Sequence, residues 1–152
     1  VTQPWQAPQS TTQRAIVLDA NILIRAVLGE RVRRLILGHS TMVSFYAPDA
    51  AFAEAREHLP AILEKRGGNA EASLAVLDFL ETLVLPLDAE LYQGFEAQAL
   101  ARIGERDPAD WPALACALSL SCPVWTEDAD FFGTGVATWT TSRVHLYLNP
   151  DE

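Results

Sequence analysis

Apolar positions along the chain switch between two periods. Short runs rich in β-branched and aromatic residues predict strands: AIVLD (15–19), MVSFYAP (42–48), VLPL (84–87) and PVWT (123–126). Between them the apolar residues recur at helical spacing. NILIRAVLG and RVRRLILG read as two short helices separated by Gly29 and closed by Gly38. Asp49 to Lys65 reads as a longer helix with Phe52, Leu59, Ile62 and Leu63 on its apolar side, ended by Gly67 and Gly68. Residues 69–83 predict a further helix with Leu74, Leu77, Phe79 and Leu80 inward, and residues 88–104 another, stopped by Gly104. In RDPADWPALACALSLS, Asp107 suits an N-cap, Pro108 the first helical position and Asp110 the third. GVATWTTS and VHLYL are expected as the last extended segments. Strands alternating with helices predict an α/β domain with a mainly parallel sheet.

The organisation expected from this pattern is a polar, flexible leader over residues 1–13, one domain over residues 14–148 and a solvated tail over residues 149–152. The 152 residues suit a single core. The leader VTQPWQAPQSTTQ lacks the basic start and apolar middle of a secretory signal. No run reaches the roughly 18 to 20 apolar residues of a membrane span. A cytoplasmic protein without a membrane partner is therefore expected, with Cys116 and Cys122 as reduced core fillers. The histidines, His39, His58 and His145, are scattered, and no Cys/His cluster has zinc spacing. The net charge of −9 argues against a broad basic face for nucleic acid. A phosphate-bearing substrate would need a bound cation, a small basic patch or a partner's charge.

The acids give that charge a location. In open parallel sheets, sites form at the carboxyl ends of strands. Asp19 ends the first strand, Asp128 and Asp130 lie just past PVWT, Asp110 opens the helix that leads into PVWT, and Glu54 sits early in the helix after the second strand. If these strands are parallel, four or five acids from remote segments meet at one rim. Carboxylates that close cannot all stay ionised without a counter-charge, and a hard divalent cation such as Mg²⁺ or Mn²⁺ supplies one. Taken singly, each acid has a plainer explanation. Asp19 could cap the following helix, Asp110 could complete a capping box with Asp107, Glu54 could be solvated like Glu57 and Glu64, and Asp128 and Asp130 could form an ordinary acidic turn. Glu127 is expected to point away from any site.

The order VLDANILIRA, then an acid in the helix after the second strand, then DPADWPALACAL and PVWTEDADFF, resembles a PIN domain, in particular the bacterial VapC-type nucleases that act as toxins of toxin–antitoxin pairs. The resemblance runs from about Ala15 to Trp139 and implies a three-layer α/β/α sandwich. It places Asp19, Glu54, Asp110 and Asp128 as the catalytic acids. Asp19, Asp110, Asp128 and Asp130 would hold the metal, with Asn21 and Thr126 in support. Asp107 would be an N-cap rather than a ligand, and Trp111-Pro112 departs from the common form. The implied activity is a Mg²⁺- or Mn²⁺-dependent endoribonuclease in which metal-activated water attacks the phosphodiester in line, leaving 5′-phosphate and 3′-hydroxyl ends. Implied partners are RNA, an inhibiting antitoxin and a second copy of the chain. Arg25 and Arg31, part of the dense basic group with Arg33 and Arg34, could touch RNA phosphates or simply form a solvated helix surface. The four tryptophans suit core or interface positions.

Rival readings are a haloacid-dehalogenase-like phosphatase, a response-regulator receiver and a non-catalytic PIN-like binding module. The first needs an Asp where Asn21 stands, and the second a Lys near the end of the fold, whereas Lys65 is mid-chain. The third differs from the nuclease in turnover, not in fold.

Overall fold

The structure is a computed structural model that describes residues 14–150; the expected leader and the last two residues of the expected tail lie outside them. Strand β1 (Arg14–Leu18) runs into α1 (Ala20–Leu28) and α2 (Glu30–His39), then β2 (Val43–Pro48), α3 (Asp49–Arg66), α4 (Ala70–Leu80) and β3 (Val84–Leu87). There follow α5 (Ala89–Tyr92), α6 (Glu96–Ile103), α7 (Trp111–Leu120), β4 (Val124–Trp125), β5 (Thr138–Trp139) and α8 (His145–Leu148).

The five strands form one sheet in the order β3-β2-β1-β4-β5, and every pairing is parallel. Parallel neighbours need crossovers, which the helices supply on both faces. Alternation along β1 shows how the two faces are filled. Ile16 and Leu18 join Phe45, Val84 and Trp125 under α1 to α4 and α8. Val17, between them, faces the opposite way and packs with Val124, Tyr92, Ile103 and the Ala113–Ala117 stretch of α7. The result is the expected α/β/α sandwich, with β1 at its centre and its Ile16, Val17 and Leu18 fully buried.

Several expectations need correcting. VHLYL is not extended: Val144 and Leu148, four residues apart, are both buried, and the helix between them lays Tyr147 on Trp139 at 5.9 Å between ring centroids. Tyr147 also donates from its hydroxyl to the Ala15 carbonyl at 2.8 Å, tying α8 to β1. The extended part of GVATWTTS is only the two residues of β5. Residues 88–104 break at a 3-10 turn over Gln93–Phe95, which contains Gly94. Gly38 lies inside α2 rather than closing it. Phe79 is 51% exposed, because Leu77 and Leu80 already occupy the buried side of α4. Both cysteines are free thiols, as expected.

Candidate active site

The carboxyl ends of β1 and β4 are neighbours because the strands pair in parallel, Leu18 beside Trp125. Asp19 follows Leu18 and Thr126 follows Trp125, so both side chains emerge at one edge. Asp19 is extended (φ −84°, ψ 175°) and is the N-cap of α1, its Oδ1 accepting from the Ile22 amide at 3.0 Å. Its Oδ2 accepts a short hydrogen bond from the Thr126 hydroxyl. Thr126 is fully buried, and its Oγ1 accepts in turn from the Asp128 amide at 2.9 Å. Asp128 Oδ1 then takes the Asp130 amide at 2.9 Å, opening a 3-10 turn over Ala129–Phe131 that is anchored by buried Phe131. A single chain of hydrogen bonds thus links the end of β1 to the turn after β4.

Asp110 arrives from the other face of the sheet. It ends a 3-10 turn, Pro108–Asp110, and is the N-cap of α7, not its third residue. Pro112, in the first turn of α7, has no amide to leave unsatisfied there. Asp107 precedes that turn, but its side chain makes no capping hydrogen bond. Its carboxylate instead joins those of Asp110 and Asp128, one oxygen of each lying within 4.8 Å of the others. Asp107 is therefore the acid that sequence reasoning assigned to capping and the fold brings into the cluster. The three-residue spacing to Asp110 was the available signal, since one tight turn stacks the two carboxylates.

The remaining candidates lie around this group. Asp19, Glu54 and Asp110 line a cleft of about 120 Å³ together with Pro48, Ala51 and Pro112. Glu54 is on the exposed side of α3. Asp49 is occupied elsewhere, accepting the Tyr92 hydroxyl at 2.5 Å and the Ala89 amide at 3.2 Å. Asp130 is half-buried beside Asp128, outside the three-carboxylate group. Asn21, Arg25 and Arg31 line a groove of about 980 Å³ that also contains Asp128 and Arg66, an arginine not singled out from sequence. Arg33 is occupied, donating to the Ala26 and Val27 carbonyls, and Arg34 pairs with Glu30. Glu127 does turn away from the acids, accepting the Thr141 amide at 2.6 Å. Trp125 is core, with its indole N–H on Thr141, and Trp111 packs on Tyr92.

Burial and mutual repulsion set the protonation of these acids. Burial pushes Asp19 up to about 6, against hydrogen bonds from Thr126 and Ile22 that favour its charged form; Asp128 and Glu54 push it the same way as burial. Burial raises Asp110 far above the ordinary carboxylate range, reinforced by its hydrogen bonds with Asp107 and Asp128 and by the charges of Asp107 and Asp19. Burial acts on Asp128 too, but hydrogen bonds from Asp110 and from the Asp130 amide outweigh it and hold Asp128 below its usual value. Of the two, Asp110 is thus the acid whose surroundings favour the protonated form, and Asp128 the one whose surroundings favour the charged form. Among the described residues, the ion pairs Arg34–Glu30, Arg56–Asp78 and Arg56–Glu81 all lie away from this cluster. A cluster of oxygen donors that retains a proton, with no arginine to neutralise it, suits a hard divalent cation, which would displace that proton.

The family model for the PIN domain matches residues 17–149. The chain belongs to the PIN-domain family. Its fold is also that of chains in solved VapBC and FitAcB structures. VapBC2 from Rickettsia felis, bound to a DNA fragment from its promoter, aligns at 14% identity with a TM-score of 0.59, over 83% of this chain and 98% of that one. VapBC-1 from nontypeable Haemophilus influenzae aligns at 21% identity and a TM-score of 0.56, over 85% and 99%. FitAcB from Neisseria gonorrhoeae aligns at 26% identity and a TM-score of 0.54, over 84% and 98%. No curated protein sequence matches. The resemblance to VapC-type PIN domains read from the sequence thus holds for family and fold. No helix among the described residues of this PIN domain is long and apolar enough to cross a membrane.

Proposed function

We propose that this PIN domain is a Mg²⁺- or Mn²⁺-dependent endoribonuclease. The observation that carries the reading is the convergence of Asp107, Asp110 and Asp128, one oxygen of each within 4.8 Å of the others, beside Asp19 at one sheet edge, with no arginine ion-paired to them among the described residues. Asp107, Asp110 and Asp128 would hold the ion, with Asp19 and Asp130 completing its oxygen shell. When bound, a divalent ion polarises a phosphodiester and lowers the pKa of water, which no side chain here could do alone. Thr126 holds Asp19 in place from Oδ2 and leaves each carboxylate oxygen a lone pair directed elsewhere. Glu54, exposed and lining the same cleft as Asp110, would accept a proton from the attacking water. Arg25 and Arg31 would hold RNA phosphates in the groove that reaches Asp128, and Asn21, which lines the same groove, would support them.

The likeness to VapBC and FitAcB supports a toxin-like role, with an antitoxin partner, a homodimer and a cytoplasmic setting proposed on the same ground. The test is cleavage of a single-stranded RNA oligonucleotide. Cleavage is expected with Mg²⁺ or Mn²⁺ and none with excess chelator. Asp19→Asn should abolish it while circular dichroism shows an intact fold. RNA cutting that persists both with chelator and in Asp19→Asn would remove the metal-nuclease reading.

A further inference from the structure

The turn carrying Asp128 and Asp130 is strapped to the segment carrying Asp107 by two guanidinium groups. Arg106 donates from Nη1 to the Phe132 carbonyl at 2.8 Å, from Nε to the Ile103 carbonyl at 3.1 Å and from Nη2 to the Arg102 carbonyl at 3.3 Å. Arg102 donates from Nη1 to the Thr134 carbonyl at 3.1 Å. The loop is shaped to receive them. Gly133 and Gly135 both have φ of +86°, and a Cβ on Gly135 would stand 2.7 Å from the Arg102 guanidinium. Only glycine adopts this backbone without strain and leaves that space. The two cations beside the acidic cluster are thus bound to backbone carbonyls and leave the carboxylates to another counter-charge.

We infer that Arg106, assisted by Arg102, is a positioning residue that sets the separation of Asp128 from Asp107 and Asp110, and with it the affinity of the site for a divalent cation. The inference rests on the metal-nuclease reading. Its geometric basis is independent: Arg106 immediately precedes Asp107, and Phe132 lies two residues beyond Asp130, so one side chain spans the two halves of the cluster. Geometry matters here, because three separate nitrogens of one planar guanidinium reach three carbonyls, whereas the three donors of a lysine issue from a single nitrogen.

The test is calorimetric titration of the full chain with Mn²⁺ well below the melting temperature, alongside RNA cleavage at graded Mn²⁺. Arg106→Ala is expected to weaken Mn²⁺ binding about tenfold or more, the size usual for residues that orient metal ligands. Half-maximal cleavage should move to correspondingly higher Mn²⁺, with the saturated rate largely regained. Arg106→Lys should regain only part of the lost affinity, and Arg143→Ala, at an exposed site away from the strap, none of the defect should appear. Should Arg106→Ala not fold, Gly135→Ala disturbs the same strap from the loop side and is expected to weaken Mn²⁺ binding likewise. A wild-type chain that binds Mn²⁺, together with strap variants that melt earlier but bind it equally well, would overturn the inference alone. A wild-type chain that binds no Mn²⁺ would overturn both this and the proposed function.

Discussion

Asp107 is the residue at which two physical roles compete. A residue before a 3-10 turn is normally a cap, and Asn and Asp serve that role about equally. In this fold its carboxylate leaves the helix end and joins Asp110 and Asp128. Asp107→Asn separates the alternatives. As a metal ligand, Asp107 should lose about tenfold or more of Mn²⁺ affinity on substitution; as a cap it should lose nothing. Titration calorimetry on the folded variant gives the answer. Asp19, Asp110 and Asp128 were legible in the sequence because each falls next to a recognisable strand end or helix start. Asp107 was not, because a linear pattern cannot say whether a carboxylate at a cap position turns inward to its own helix or outward to a neighbour 21 residues on.

At the scale of elements, the site is supported from behind by contacts that carry no chemistry. Asp49, at the start of α3, accepts from Tyr92 and from the Ala89 amide, joining α3 to the start of α5 on the opposite layer. Tyr92 is held above its ordinary value by burial and by this bond, so it remains a donor. Tyr92→Phe should cost about 1 to 3 kcal/mol of stability, because the carboxylate loses a charge-assisted partner. Urea unfolding would show this, with Mn²⁺ affinity unchanged. A similar logic decided which helices could be read in advance. The helix α1 was plain, with its apolar stripe and capping acid. The short α8 was not: four residues, His145–Leu148, are too few for a period to emerge, and the β-branched Val144 and aromatic Tyr147 suit a strand equally well. What decides is tertiary, the docking of Tyr147 onto Trp139 and Ala15.

For the whole molecule, the acid cluster makes stability depend on pH and on cations together. Asp19 titrates near 6 in the folded chain, above the ordinary 3.8 of an unfolded aspartate. The folded state therefore holds a proton that the unfolded state has released, and stability falls as pH rises through that window. For Asp19 alone the loss is on the order of 3 kcal/mol. Asp110, also raised, extends the decline to higher pH. Asp128, lowered, has the opposite sign: its contribution is present above the ordinary value and is lost only as pH falls below it. Without metal, the melting temperature should fall between about pH 5 and pH 7. Saturating Mn²⁺ should flatten or reverse that slope, since the cation replaces the protons and binds only the folded chain. Differential scanning calorimetry at several pH values, with and without Mn²⁺, measures both. A metal-free melting temperature that climbs across this range would contradict the assigned protonation.

The pairing of β1 with β4 also bears on how the protein comes into being. The central strand waits for a neighbour that lies more than a hundred positions further along, so ribosomal synthesis delivers Asp19 long before Asp128. Contacts of such long sequence separation are entropically slow to close. Until the segment carrying Asp128 has left the ribosome, the two halves of the cluster cannot meet. Were the domain the ribonuclease proposed above, a nascent chain would thereby lack the means to cut the message from which it is being translated.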